Sequence, residues 1–92
     1  MMVDWQKTIF ELSDSKVLLY LLENRTARYS ELLAKVIGSR STLANSLKQL
    51  QSSGLVERRI KDTRPLQTEY RLSEKGKRFC ELLLEIRKMV RP

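Results

Sequence analysis

The sequence predicts a mainly α-helical protein with one small β-hairpin, an α+β class. Three observations carry this. Apolar residues recur every three or four positions through most of residues 4–53 and again over 74–90. After Gly54 the period shortens, and Val, Ile, Thr, Tyr and Arg crowd into two short runs. The length of 92 residues, against roughly 150 for a typical domain, leaves room for one small core.

Trp5, Ile9 and Leu12 stand at i, i+4 and i+7, one face of a short helix over Asp4 to Leu12. Ser13 reads as the N-cap of a second helix, Asp14 to Glu23, with Leu12 and Val17 placed as a hydrophobic staple. Val17, Leu18, Leu21 and Leu22 face inward there, and Asn24 is the expected stop. Arg25 to Tyr29 reads as a polar connector with room for a brief edge strand. Ser30 is the next N-cap candidate, for a two-turn helix that buries Leu32, Leu33, Val36 and Ile37 and ends at Gly38.

Ser39 starts a fourth helix whose inward positions are Leu43, Leu47 and Leu50. Gly54 supplies the left-handed residue that ends it, and a Schellman motif there would fold Leu55 back onto Leu50. Leu55 to Ile60 and Thr68 to Leu72 are the two strands of a hairpin, joined by the polar Lys61 to Gln67. Ser73 caps a last helix, Glu74 to Val90, in which Phe79, Leu82, Leu83, Ile86, Met89 and Val90 recur every three or four residues. Gly76 in its first turn is expected to cost a little stability.

Composition narrows the function. Apolar residues make up 41% and charged residues 32%, the balance of a folding globular chain rather than a disordered tail. The longest apolar run, Val17 to Leu22, is far short of the roughly 20 residues of a bilayer span, so no membrane partner is expected. A cytoplasmic, nucleoid-associated protein is the expectation. A single cysteine, Cys80, closes no intramolecular disulfide, and without histidine the usual zinc ligand sets cannot be assembled. Neither a metal nor another cofactor is expected, and no small-molecule ligand is evident. Without a glycine-rich phosphate loop or a conspicuous carboxylate pair, no catalytic constellation is visible.

The net charge is +7, and it is unevenly placed. Residues 1–23 carry two basic and four acidic groups, residues 24–66 nine and three, and residues 67–92 seven and four. The middle of the chain is where a polyanion should dock. No acid lies between Glu31 and Glu57. With its leucines inward, the helix from Ser39 turns Ser41, Asn45 and Lys48 outward, flanked by Thr42 and Gln49. Arg40 stands at its N-terminus. Arg pairs bidentately with guanine, and Asn or Gln with adenine. Such a face also decorates ordinary solvated helices, and its lack of acids favours contact. Arg58, Arg59, Lys61 and Arg64 crowd the hairpin and its tip, where they can neutralise phosphates or discourage strand-edge pairing. Asp62 is placed to pair with Arg64 or Lys61, or to serve as a turn residue. Arg25, Arg28 and Ser30 could reach the backbone as well.

Two helices joined by a tight turn at Gly38 and Ser39, the second leading into a hairpin, make a helix-turn-helix with a wing, here with extra N- and C-terminal helices. SRSTLANSLKQLQSSGLVERR (Ser39 to Arg59) followed by RPLQTEYRLSEKG (Arg64 to Gly76) resembles the winged-helix transcription regulators of the MarR, ArsR and HxlR groups. The resemblance covers roughly Ser13 to Leu84. It implies that the Ser39 to Ser53 helix reads the major groove, that the hairpin lies along the backbone or minor groove, and that terminal helices form a homodimer. The chain departs from those groups in having no cysteine near the start of the second helix and no histidine and cysteine metal sites.

The last helix is too broadly apolar for one neighbour. Phe79, Leu82, Leu83, Ile86, Met89 and Val90, with Trp5, Ile9 and Phe10 closing over the seam, are the expected twofold interface. The resulting expectation is a sequence-specific duplex-DNA regulator, a repressor, acting as a homodimer. Its rivals are a protein-docking winged helix, an RNA binder and a non-specific architectural protein.

Overall fold

The computed structural model describes residues 12–90, without the side chain of Val90. The helix expected over Asp4 to Leu12, with Trp5, Ile9 and Phe10, lies outside the described residues. In chain order the elements are α1 (Ser13–Asn24), β1 (Thr26–Arg28), α2 (Tyr29–Lys35), α3 (Arg40–Ser52), β2 (Val56–Lys61), β3 (Gln67–Leu72) and α4 (Glu74–Val90). The α+β class and the winged helix-turn-helix order stand.

The expected hairpin is part of a three-stranded antiparallel sheet in the order β1-β3-β2. β1 pairs Thr26 with Arg71, Ala27 with Tyr70 and Arg28 with Glu69. β2 pairs Val56 with Leu72 and continues to Lys61 with Gln67. Side chains alternate between faces, so Ala27, Val56, Tyr70 and Leu72 form the buried side. Against them pack Val17, Leu18 and Leu21 of α1, Leu32 of α2, and Leu43, Leu47 and Leu50 of α3, with Cys80 of α4 fully buried beside them.

Four helix boundaries differ from the sequence reading. Leu12, in extended conformation, occupies the N-cap of α1 without a side-chain cap. Ser13 lies inside the first turn, and its hydroxyl pairs with that of buried Ser46 on α3 at 2.7 Å. Asn24 remains helical, its side-chain Nδ2 donating back to the Tyr20 carbonyl, and Arg25 takes the positive φ of 70°. Ser30 is not a cap either, since β1 runs directly into α2 and Arg28 holds the N-cap position. α2 stops at Lys35, three residues before Gly38, where the Val36 and Ile37 amides both donate to the Leu32 carbonyl.

The other caps are as expected. Ser39 Oγ accepts from the Thr42 amide. At the far end of α3, Gly54 has φ of 75°, its amide donates to Gln51 O, and the Leu55 amide donates to Leu50 O, the two bonds of a Schellman motif. Ser73 Oγ accepts from the Gly76 amide and donates to Gly54 O, so it caps α4 while tying it to the end of α3. Gly76 corrects the expectation of a small propensity cost. A Cβ there would meet the Leu55 carbonyl oxygen at 2.0 Å, so the position demands glycine for close backbone approach.

α4 also sorts its apolar residues differently from the sequence reading. Gly76, Cys80 and Leu83 are buried, whereas Phe79, Leu82, Ile86 and Met89 are exposed. Leu83 therefore belongs to the core of the subunit and is not available to a second copy.

Candidate nucleic-acid interface

The turn from α2 to α3 sets the reading surface. Tyr29 Oη donates to the Arg40 carbonyl at 3.4 Å, holding the start of α2 against the first turn of α3. On the inner side, Tyr20 Oη donates to the Glu31 carboxylate, which ties α1 to α2. That hydrogen bond, with some desolvation and the repulsion of Glu31 and Glu23, raises the Tyr20 phenol above its usual value. α3 is thus braced along its inner face, where Leu43, Ser46, Leu47 and Leu50 are buried.

Its outer face carries Arg40, Ser41, Thr42, Asn45, Lys48 and Gln49, all exposed. Among the described residues, the side chains of Arg40, Asn45 and Lys48 are in no hydrogen bond or ion pair. They are free to meet a ligand. The first turn of α3 holds no acid, so the partial positive charge of the helix N-terminus adds to that of Arg40. Asn45, Lys48, Gln49, Ser52 and Ser53 line a shallow concavity along this face.

The hairpin cations do not form one patch. Register places Arg58 opposite Tyr70 and Arg59 opposite Glu69. Strand alternation therefore sends Arg58 to the sheet face that packs on α3, and Arg59 and Lys61 to the other. On that outer face Glu69 sits in the middle strand, flanked by Arg28 of β1 and Arg59 of β2. Lys61 Nζ reaches its carboxylate at 3.2 Å, and the Glu69 side chain is only 15% exposed. Arg71 and Glu57, directly opposed, pair at 3.0 Å on the same face. Sequence reasoning assigned Lys61 to phosphate and overlooked Glu69. Glu69 stands one residue before the inward Tyr70, so strand alternation places it on the outer face with Lys61.

Asp62 pairs with neither Lys61 nor Arg64 among the described residues, which corrects the expected tip contact. The tip is shaped instead by Thr63, whose amide donates to Lys61 O and whose hydroxyl donates to Pro65 O. Arg64 is exposed there. Arg28 and Ser30 are exposed on β1 and in the first turn of α2. Arg28 lies across the sheet from the wing edge, on the Glu69 face, so it does not extend the α3 surface.

Among the described residues no group of three or more Cys, Asp or Glu could hold a metal ion. Cys80 is fully buried, with Sγ 3.7 Å from Leu18 O, and burial pushes its thiol up to about 11, away from the reactive thiolate.

Comparison with known proteins places this geometry. The HxlR-like helix-turn-helix family matches residues 14–91, the whole of the reading surface and all of α4. The chain belongs to the HxlR-like helix-turn-helix family. It is 34% identical over 73 residues to the uncharacterized HTH-type transcriptional regulator YvaP of Bacillus subtilis (strain 168), covering 78% of this chain and 68% of that protein. A transcriptional regulator homologue from Pyrococcus horikoshii OT3 shares the fold at 18% identity, with a TM-score of 0.80 over 95% of this chain and 88% of its own. The reduced form of the transcriptional regulator YodB from B. subtilis is 25% identical, with a TM-score of 0.71 over 96% and 90% of the two chains. This HxlR-like protein is accordingly a transcription regulator of the HxlR/MarR winged-helix type and not an enzyme. Among the described residues no helix is long and apolar enough to cross a membrane.

Proposed function

We propose that the protein is a sequence-specific regulator of transcription that binds duplex DNA as a twofold dimer, residues 13–73 reading the DNA and 74–92 joining the subunits. Arg40, Ser41, Thr42, Asn45, Lys48 and Gln49 meet base edges and phosphates in the major groove. Arg58, Arg59 and Arg64 hold the backbone, with Lys61 shared between phosphate and Glu69. The observation that carries this reading is the acid-free outer face of α3, whose Arg40, Asn45 and Lys48 side chains have no partner within the described residues. A protein-docking module or a purely architectural protein would not need donors and acceptors of this kind.

The dimer reading rests on α4. Phe79, Leu82, Ile86 and Met89 are 44%, 47%, 40% and 84% exposed, at successive spacings of three, four and three residues. That is the a/d seam of a helix pair. A second α4 would cover it and set two recognition helices about one DNA turn, roughly 34 Å, apart on an inverted repeat. Repression by occlusion of a promoter is the simplest outcome for so small a protein, which would act in the cytoplasm at the nucleoid.

Selection from a randomised duplex pool tests the whole reading. The expected result is a palindromic motif bound at least ~10³-fold more tightly than random duplex. Arg40→Ala or Asn45→Ala should relax base preference at one position of each half-site, a loss of about 1–3 kcal/mol against the preferred base. Arg58→Ala or Arg64→Ala should weaken all duplexes alike. Equal binding of selected and random DNA would leave only an architectural role.

A further inference from the structure

The tip of the β2–β3 wing is not simply basic. Ile60 and Leu66 are 59% and 67% exposed on either side of the turn. Ile60 is paired with Thr68, which shares the Tyr70 face. This is the side of the sheet that packs on α3, where Tyr70 lies beside Ala44 and Leu47. The opposite side holds Arg59, Lys61 and Glu69. The side turned toward the reading helix thus carries Ile60 beside Arg58, and the side turned away carries the paired charges. Thr63, through its bonds to Lys61 and Pro65, gives the tip a defined shape.

We propose that Leu66 and Ile60 form an apolar wedge that seats against the deoxyriboses and base edges of the DNA minor groove, making the wing sensitive to groove width and step flexibility. The inference rests on the DNA-binding reading above and adds a second, indirect source of specificity to α3. A polyanion is the occupant because Arg58 shares the face of Ile60 and Arg64 is exposed at the tip, while Arg59 and Lys61 line the opposite face, with Asp62 the one acid in the turn between the strands. A protein partner is disfavoured by size, since two side chains fall far short of the roughly 800 Å² per partner of a stable interface. Apolar wedges elsewhere enter the minor groove at steps that unstack easily, and the amino group of guanine obstructs that groove.

The test uses the full chain and a duplex selected by the wild type from a randomised pool, with the wing-contacted step located by hydroxyl-radical footprinting. At that step an A·T pair is replaced by G·C, and separately by inosine·C, which lacks the minor-groove amino group. Wild type should lose about five- to tenfold in affinity with G·C and recover most of it with inosine·C. Leu66→Ser should bind the parent duplex about fivefold more weakly and lose the distinction among the three duplexes, with an unchanged salt slope. Arg64→Ala should keep the distinction and lower the slope by about one. A Leu66→Ser protein that discriminates like wild type, or that loses salt slope, overturns the wedge while leaving DNA reading intact. A wild type that selects no motif overturns both.

Discussion

Replacing Gly76 by alanine separates packing from propensity, because the two predict opposite signs. In a helix interior alanine is favoured over glycine by about 1 kcal/mol, so a reading from propensity alone expects Gly76→Ala to stabilise. The structure reverses this. The added Cβ would lie 2.0 Å from Leu55 O, 3.0 Å from its carbonyl carbon and 3.3 Å from its Cα, all backbone atoms. That carbonyl cannot swing aside, since it accepts from the Ser73 amide at 3.0 Å while the Leu55 amide is held by Leu50 O. α4 must therefore move out, stretching the Ser73 bond and loosening Cys80 and Leu83. Overpacking of this kind costs about 1–3 kcal/mol and a weakened buried hydrogen bond about 1 kcal/mol more. After the propensity gain, the net loss is about 2 kcal/mol. Urea unfolding followed by circular dichroism, at fixed protein concentration, should show the midpoint falling by about 1–2 M. Gly38→Ala is the control, for nothing lies within 4 Å of its added Cβ, and it should shift stability by no more than about 0.5 kcal/mol. A Gly76→Ala midpoint at or above that of wild type would refute the argument.

Three further outcomes are expected. Ile86→Glu, on the exposed seam of α4, should give a monomer by light scattering at micromolar concentration with an unchanged circular dichroism spectrum, and a persisting dimer would move the interface elsewhere. Glu69→Gln releases Lys61 and adds one net positive charge, so binding to random duplex should strengthen and its salt slope steepen by up to about one unit, and an unaltered slope would contradict the ion pair as a brake. Cys80 has its thiol raised from 9.0 to about 11, so the folded state favours the protonated form. Its contribution to stability is whole below pH 9 and is lost as pH rises to 11, an effect of up to about 3 kcal/mol. Cys80→Ala should flatten that alkaline decline, and an equally steep one would mean that other groups cause it.

Much of the fold was legible because this chain punctuates its elements with residues that have few alternatives. Gly54 and Ser73 each announced a boundary through a specific backbone need, and the leucine spacing of α3 determined which face stayed free. Ser13 and Ser30 misled because a hydroxyl near a helix start has other uses, and for Ser13 the other use is a partner 33 residues away. The split of α4 into Leu83 inward and Leu82 outward depends on a phase that apolar spacing alone leaves open across a wide stripe. The candidate site was legible residue by residue but not in its grouping. Adjacent cations such as Arg58 and Arg59 read as one cluster in sequence, and a strand sends them to opposite faces. Gly76 was legible only as a residue that helices disfavour, because the carbonyl it accommodates belongs to Leu55, on the far side of the hairpin.

The joint where α3 ends has a mechanical consequence. Ser73 Oγ bonds Gly54 O, Lys75 Nζ reaches Ser53 O at 2.9 Å, and the Ser73 amide bonds Leu55 O, so the tail of one helix, the root of the ribbon and the head of the next are riveted together. A rivet transmits torque instead of absorbing it. Two subunits clasped through α4 would swing their reading helices as rigid callipers with a single jaw width, and a site lengthened by one base pair would meet both arms out of phase.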